Sequence, residues 1–209
     1  MCGRTSDSPR RVDNASATLV ELSAAIAAGA RDRWPEIMRA VQQHAGPTAG
    51  EEAILQSYLF LGFPAALQAL SVWRDEHPLS TEVEPVAPAA WRERGEAVCA
   101  QVYGGQYERL RENVTALHPN MEQWMLTEGY GKVLARPGLA LRTRELCIIA
   151  LLAVQDAPRQ LYSHIRGALN CGATQLDVRE ALGITAEFST PDRAEQALQV
   201  YAAVLARRG

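Results

Sequence analysis

Two stretches of this chain, residues 21–70 and 145–198, carry the same succession of helix and turn signals, which restricts the fold to helices laid out twice. The first runs Glu21-Leu-Ser-Ala-Ala-Ile-Ala-Ala, then Ile-Met38-Arg-Ala-Val, Gly46-Pro-Thr48-Ala-Gly-Glu51 and Gly62-Phe-Pro64-Ala-Ala-Leu. The second runs Glu145-Leu-Cys-Ile-Ile-Ala-Leu-Leu, then His164-Ile-Arg-Gly-Ala-Leu, Gly172-Ala-Thr174-Gln-Leu-Asp177 and Ser189-Thr-Pro191-Asp-Arg-Ala. In each, a Gly suited to ending one helix precedes a Thr suited to capping the next, with an acid three residues on. A Pro then fits the first turn of a closing helix. An internal duplication is the expectation. Met38 stands where the second copy has His164, so any site belongs to the C-terminal copy.

The rest of the chain agrees with an all-α fold. Helical periodicity marks helices near 16–29, 33–45, 49–59, 64–75, 89–103, 106–117, 120–133, 141–155, 158–171, 175–186 and 191–207, and no period-two strand run stands out. Residues 1–15 read as a disordered leader and 16–75 as the N-terminal degenerate repeat. A Pro-rich linker follows over 76–90, and then a larger domain over 91–207. With 47% hydrophobic and 22% charged residues and a net charge of −3, the composition is that of a globular protein. It offers no basic groove for nucleic acid and no basic patch for a membrane surface, and no apolar run reaches the ~18 residues of a membrane span. The cysteines Cys2, Cys99, Cys147 and Cys171 form no Cys-x-x-Cys, and the default is reduced thiols in the cytoplasm.

Chemistry concentrates in Glu145 and His164, nineteen residues apart on apolar helical stripes. Buried alone, either charge is costly; together they form a satisfied pair and an acid–base device. The plainer alternatives are a Glu145 ion pair with Arg142 or Arg166 and a packed core histidine. Arg142, Arg144 and Arg166 have the planar fork that binds a substrate carboxylate, or simply face water. Tyr162 and Ser163 supply hydroxyls or merely pack. Asp156 is placed to cap the helix that carries His164. Cys171, two turns beyond His164, is a candidate redox thiol if an imidazolium favours its thiolate, and otherwise an inert one. No metal-ligand spacing and no phosphate-binding glycine loop appears.

The text Tyr130-Gly-Lys-Val-Leu-Ala-Arg-Pro137-Gly-Leu-Ala-Leu-Arg-Thr-Arg-Glu145-Leu, followed by His164-Ile-Arg-Gly-Ala-Leu-Asn-Cys-Gly172-Ala-Thr174, resembles the carboxymuconolactone decarboxylase family, which includes alkylhydroperoxidase-D-like proteins. The resemblance covers residues 120–205 well and 18–75 weakly, and the Gly-Gly-Gln-Tyr turn at 104–107 fits it too. It implies an alkylhydroperoxidase-D-like fold with a central helical hairpin, assembled as a homo-oligomer, a trimer for a chain with two such units or else a hexamer. The peroxidase branch pairs a Glu and a His with two cysteines, and those positions are Ala157 and Gln160 here. The decarboxylase branch lacks the cysteines as well.

For that branch the resemblance implies cofactor-free decarboxylation or lactone processing of a small carboxylated metabolite. His164 would be the proton donor and Glu145 the group that orients it, with Arg142 or Arg144 as a chemically inferred carboxylate anchor. Two other readings stand beside it: a thiol-dependent antioxidant working through Cys171 or Cys147, and a family member without catalysis.

Overall fold

The computed structural model of the protein describes residues 12–78 and 85–208, and every regular element among them is helical. Of the expected leader, residues 1–11 lie outside the described residues. From Val12 the chain is already packed, and helix α1 (Asn14–Ala28) is capped by Asp13, whose side chain accepts from the Ser16 N–H at 2.8 Å. Helix α2 (Trp34–His44) and helix α3 (Pro47–Glu76) follow. Most of the expected linker, residues 79–84, lies outside the described residues, and helix α4 (Pro88–Tyr103) begins beyond it.

The helices expected at 49–59 and 64–75 are the two halves of α3, which breaks at Gly62 (φ 76°, ψ 169°). Only glycine takes that backbone freely. Pro64 then sits in the first turn of the second half, the place expected for it. In length and composition α3 is apolar enough to cross a membrane, but Glu51, Glu52, Gln56 and Ser57 on its first half are buried against the rest of the protein. It is a core helix.

After a 3-10 turn at Gly104–Gln106 come helix α5 (Tyr107–Leu117) and helix α6 (Pro119–Trp124). The expected α-helix over 120–133 is realised differently: α6 runs into a π-helical segment, Met125–Leu134. Its wider turn lies directly against α4. A Cβ at Gly95 would collide with the Leu126 carbonyl, and one at Gly131 with the Trp91 carbonyl. Backbone meets backbone there, and that contact holds the segment in place.

Helix α7 (Leu141–Val154) is the centre of the protein, buried from Thr143 to Val154, as its apolar residues on all faces require. Helix α8 (Pro158–Asn170) folds back on it as a hairpin, and helix α9 (Gln175–Ala186) and helix α10 (Pro191–Ala206) complete the C-terminal layer. Helix α1 packs on α7 from the other side. One core gathers Leu146, Ile149, Leu161, Ile165 and Val178; the other gathers Leu22, Trp34, Met38, Ile54 and Trp73, and Cys147 of α7 joins the second.

Two cap expectations are corrected. Thr48 does not cap α3: the helix begins at Pro47 behind Gly46, because proline at the first position presets the helical φ one residue earlier. Glu51 pairs with Arg74 instead. Asp156 does not cap α8: its own backbone is left-handed (φ 59°), and Ala157 is the N-cap.

Candidate functional site

Glu145 lies in the second turn of α7, and His164 lies mid-way along α8, so the hairpin turns the two toward each other. Nδ1 of His164 is 2.9 Å from Oε2 of Glu145. A carboxylate oxygen accepts, so Nδ1 carries the proton and Nε2 is the free end of the ring. Glu145 is fully buried, whereas the His164 side chain keeps 8% of its surface exposed. The salt bridge from Glu145 to Arg142 or Arg166 considered from sequence is not what forms.

The pair is framed by groups without sequence signals of comparable strength. Phe60, just before the α3 break, sets its ring edge-to-face on the imidazole (centroids 5.8 Å apart, planes at 81°). Gln155 holds Phe60 in place by donating to its carbonyl at 3.1 Å. Gly167, one turn beyond His164, lets α4 and Glu145 approach. A Cβ there would stand 2.7 Å from Glu145 Oε2 and 2.6 Å from Val102 Cγ1. Glycine inside a helix costs stability, and that cost was the one available clue to it.

Neither arginine singled out as an anchor reaches the pair. Arg144 is completely buried and donates to Glu52 Oε2 at 2.8 Å, Gln56 Oε1 at 3.2 Å, and the carbonyls of Leu139 at 3.2 Å and Arg136 at 3.0 Å. Burial pulls its proton affinity down while Glu52 pulls it up. Arg142 pairs with Asp177 at 2.8 Å and Asp13 at 3.6 Å, which ties the starts of α9 and α1 to α7. Both guanidinium groups are engaged by the protein's own carboxylates. Ser163 donates back to the Arg159 carbonyl, and the Tyr162 ring lies under Arg207.

Cys171, the expected redox candidate, follows the end of α8 and is partly buried. Burial, and then the Glu145 carboxylate, push its thiol up to about 12, opposite to activation by an imidazolium. Burial likewise pushes Cys99 up to about 12 and Cys147 up to about 11. Among the described residues no three of His, Cys, Asp and Glu gather as a metal ion would need.

The geometry is that of a buried carboxyl group and an imidazole at hydrogen-bonding distance, on a hairpin in an all-helical fold. Residues 122–203 match the carboxymuconolactone decarboxylase family. Over 185 residues the chain is 28% identical to peroxisomal protein 2 of Schizosaccharomyces pombe, covering 82% of this chain and 84% of that protein. Over 93 residues it is 37% identical to a nitrosuccinic acid decarboxylase of Metarhizium robertsii, covering 43% of this chain and 64% of that protein. Over 90 residues it is 29% identical to a 4-carboxymuconolactone decarboxylase of Acinetobacter baylyi, covering 43% of this chain and 67% of that protein.

Proposed function

We propose that the protein is a cofactor-independent decarboxylase, or a related lactone-processing enzyme, acting on a small carboxylated metabolite. The observation that carries this reading is the Glu145–His164 contact at 2.9 Å inside the segment that matches the family. The names of two relatives supply the substrate class: each describes an acid whose carboxylate stands near an electron-withdrawing group. When the C–C bond to that carboxylate breaks, its electron pair remains on the substrate as a delocalised anion and carbon dioxide leaves. The anion then takes a proton from Nε2 of His164, and the neutral ring recovers one from water. Glu145 stabilises the imidazolium and fixes which nitrogen faces outward, and Phe60 fixes the ring plane.

The thiol-based reading receives no support from Cys99, Cys147 or Cys171, whose protons are all held more tightly than usual. A homo-oligomer, a trimer by preference, belongs to the same proposal. Phe63 and Leu67, 63% and 60% exposed, present an apolar face at the α3 break beside Phe60, and sedimentation of the purified protein gives the number of subunits.

The test of function is carbon dioxide release from a panel of activated carboxylates, including 4-carboxymuconolactone and nitrosuccinate. At least one should turn over, and His164→Ala should lower the rate by about 10²–10⁴-fold, the usual contribution of a general acid. Turnover that survives His164→Ala removes the assigned donor. No turnover of any panel member by the folded protein favours a family member without this catalysis.

A further inference from the structure

Met38 stands where the C-terminal copy has His164, yet the helix that carries it borders a cavity of its own. A space of about 80 Å³ lies between α2 and the end of α3, with Pro35 and Met38 on one side and Val72, Trp73 and His77 on the other. Neither Glu145 nor His164 lines it. The Trp73 and His77 rings in its wall lie face to face, centroids 3.9 Å apart and planes at 11°. His77 is the C-cap of α3, and its Nδ1 stands 2.9 Å from the Trp73 carbonyl. A carbonyl only accepts, so Nδ1 carries a hydrogen and Nε2 is the ring's remaining polar atom. Nε2 is buried without a hydrogen-bond partner, and so is Nε1 of Trp73, which can only donate. His77 is 6% exposed and Trp73 fully buried, so bulk water serves neither nitrogen. Two unserved polar atoms on stacked rings in the wall of one cavity are costly if nothing meets them there.

The rest of the wall sets what suits them. The space is that of roughly two to three water molecules, and each buried water needs two to four polar partners. Pro35, Met38, Val72 and the faces of the two rings offer none. One hydroxyl on a short apolar body fits better. Its oxygen accepts from Trp73 Nε1, and it donates to His77 Nε2 or accepts from it, whatever charge the ring carries. Asp75 and Glu76 complete the lining, and both are exposed. Glu76 is paired with Arg39 at 3.4 Å, so the rim keeps the charge of Asp75, which disfavours an anion.

We propose that this cavity is a second binding site, which takes the hydroxyl end of a small uncharged alcohol and holds it with Trp73 Nε1 and His77 Nε2. It is separate from the Glu145–His164 pair and stands or falls without the decarboxylase reading. Its ligand class differs as well, since the carboxylated metabolite proposed for the hairpin would meet Asp75 at the rim.

The experiment is nitrogen-15 NMR of the full-length protein titrated with 1-propanol, read at the indole N–H of Trp73 and assigned through its backbone connectivity. The indole signals of Trp34, Trp91 and Trp124 are the internal controls. The Trp73 signal should shift saturably at millimolar propanol, as befits a ligand of so few heavy atoms, while the other three stay in place. His77→Phe keeps a ring on Trp73 and removes Nε2, and half-saturation there should need about tenfold more propanol, the size of one hydrogen bond. 1-Chloropropane, which lacks the hydroxyl, and propionate, which carries a charge, should each bind wild type about tenfold more weakly or worse. Those two comparisons need no variant, so the proposal is decided even if His77→Phe does not fold. No saturable shift at Trp73, or an equal drift of all four indoles, means that the cavity holds solvent alone and overturns the proposal. Undiminished affinity in His77→Phe, or for chloropropane or propionate, overturns it as well.

Discussion

In the sequence correspondence between residues 21–70 and 145–198, helices α1 and α2 align with α7 and α8, and the two pairs put different things between them. Glu21, in the place of Glu145, is partly exposed and reaches outward to Arg33 at 3.0 Å. Burial, offset by Arg33, leaves its carboxyl above the ordinary range. Met38, in the place of His164, is sealed in an apolar core with Trp34 and Trp73. The corresponding positions therefore hold an apolar contact in one half and a hydrogen-bonded Glu–His pair in the other.

The sharpest way to break this comparison is to give the C-terminal half the N-terminal residue. His164→Met should abolish turnover, a loss of about 10²–10⁴-fold. It should also destabilise the protein by about 1–3 kcal/mol, because Glu145 is left buried without its partner. Adding Glu145→Leu should recover much of that stability and none of the activity, making the hairpin an apolar core like its counterpart. Denaturant unfolding of the two variants checks this. If His164→Met is as stable as wild type, Glu145 is not the buried acceptor described here.

The halves are also joined, and a larger stability effect than any single packing change is expected at the joint. Arg144→Met strips one of two guanidinium partners from Glu52, whose side chain is 6% exposed, and leaves Gln56 Oε1 without its donor on α7, while Gln56 Nε2 still donates to the backbone carbonyl of residue 144. Breaking a buried pair by removing one member costs about 3–5 kcal/mol. Replacing both members, with Glu52→Leu and Arg144→Met together, should cost much less, although Arg136 also bonds Glu52 at 2.9 Å and is left to find water. A substrate-binding Arg144 would instead raise KM and leave the unfolding midpoint where it was.

The difference in legibility between the halves has a physical cause. Helix periodicity, Pro at first turns and the Thr174–Asp177 box are local, and each was readable within a turn or two of chain. The Glu145–His164 pair was readable because ionisable residues on apolar stripes of consecutive helices have few other places to go. Phe60 was not readable, since it reaches His164 from 104 residues away in sequence, and no local pattern says which distant ring a residue beside a helix break will meet. The π-helical segment follows from close backbone contact between Gly95 and Gly131, which no single-segment pattern contains. Arg142 and Arg144 looked like anchors because guanidinium chemistry is the same whether the carboxylate belongs to a substrate or to Asp177 and Glu52. Only the fold says which.

The smallest effect tests whether the two turns are as alike as their sequences. Thr174 Oγ1 accepts from the Asp177 N–H at 3.0 Å, and the Thr174 N–H donates to the Asp177 carboxylate at 2.7 Å. Burial opposes ionisation of Asp177, but the Thr174 bonds and Arg142 outweigh it and hold its carboxyl below its usual value of 3.8. Thr48 makes no such bond, since Pro47 has already begun the helix. Thr174→Ala should therefore cost about 1 kcal/mol, the usual worth of a cap, and Thr48→Ala only a few tenths. Acid separates them further. A carboxyl with a depressed folded-state pKa contributes stability above its unfolded value and loses it as the pH falls through the folded one. Asp177→Asn should accordingly flatten the acid side of the stability profile, below a pH of about 4, and Thr48→Ala should leave it unchanged. Equal costs for the two threonines would mean that both turns are capped alike, and the structural difference between the halves would shrink to the pair in the hairpin.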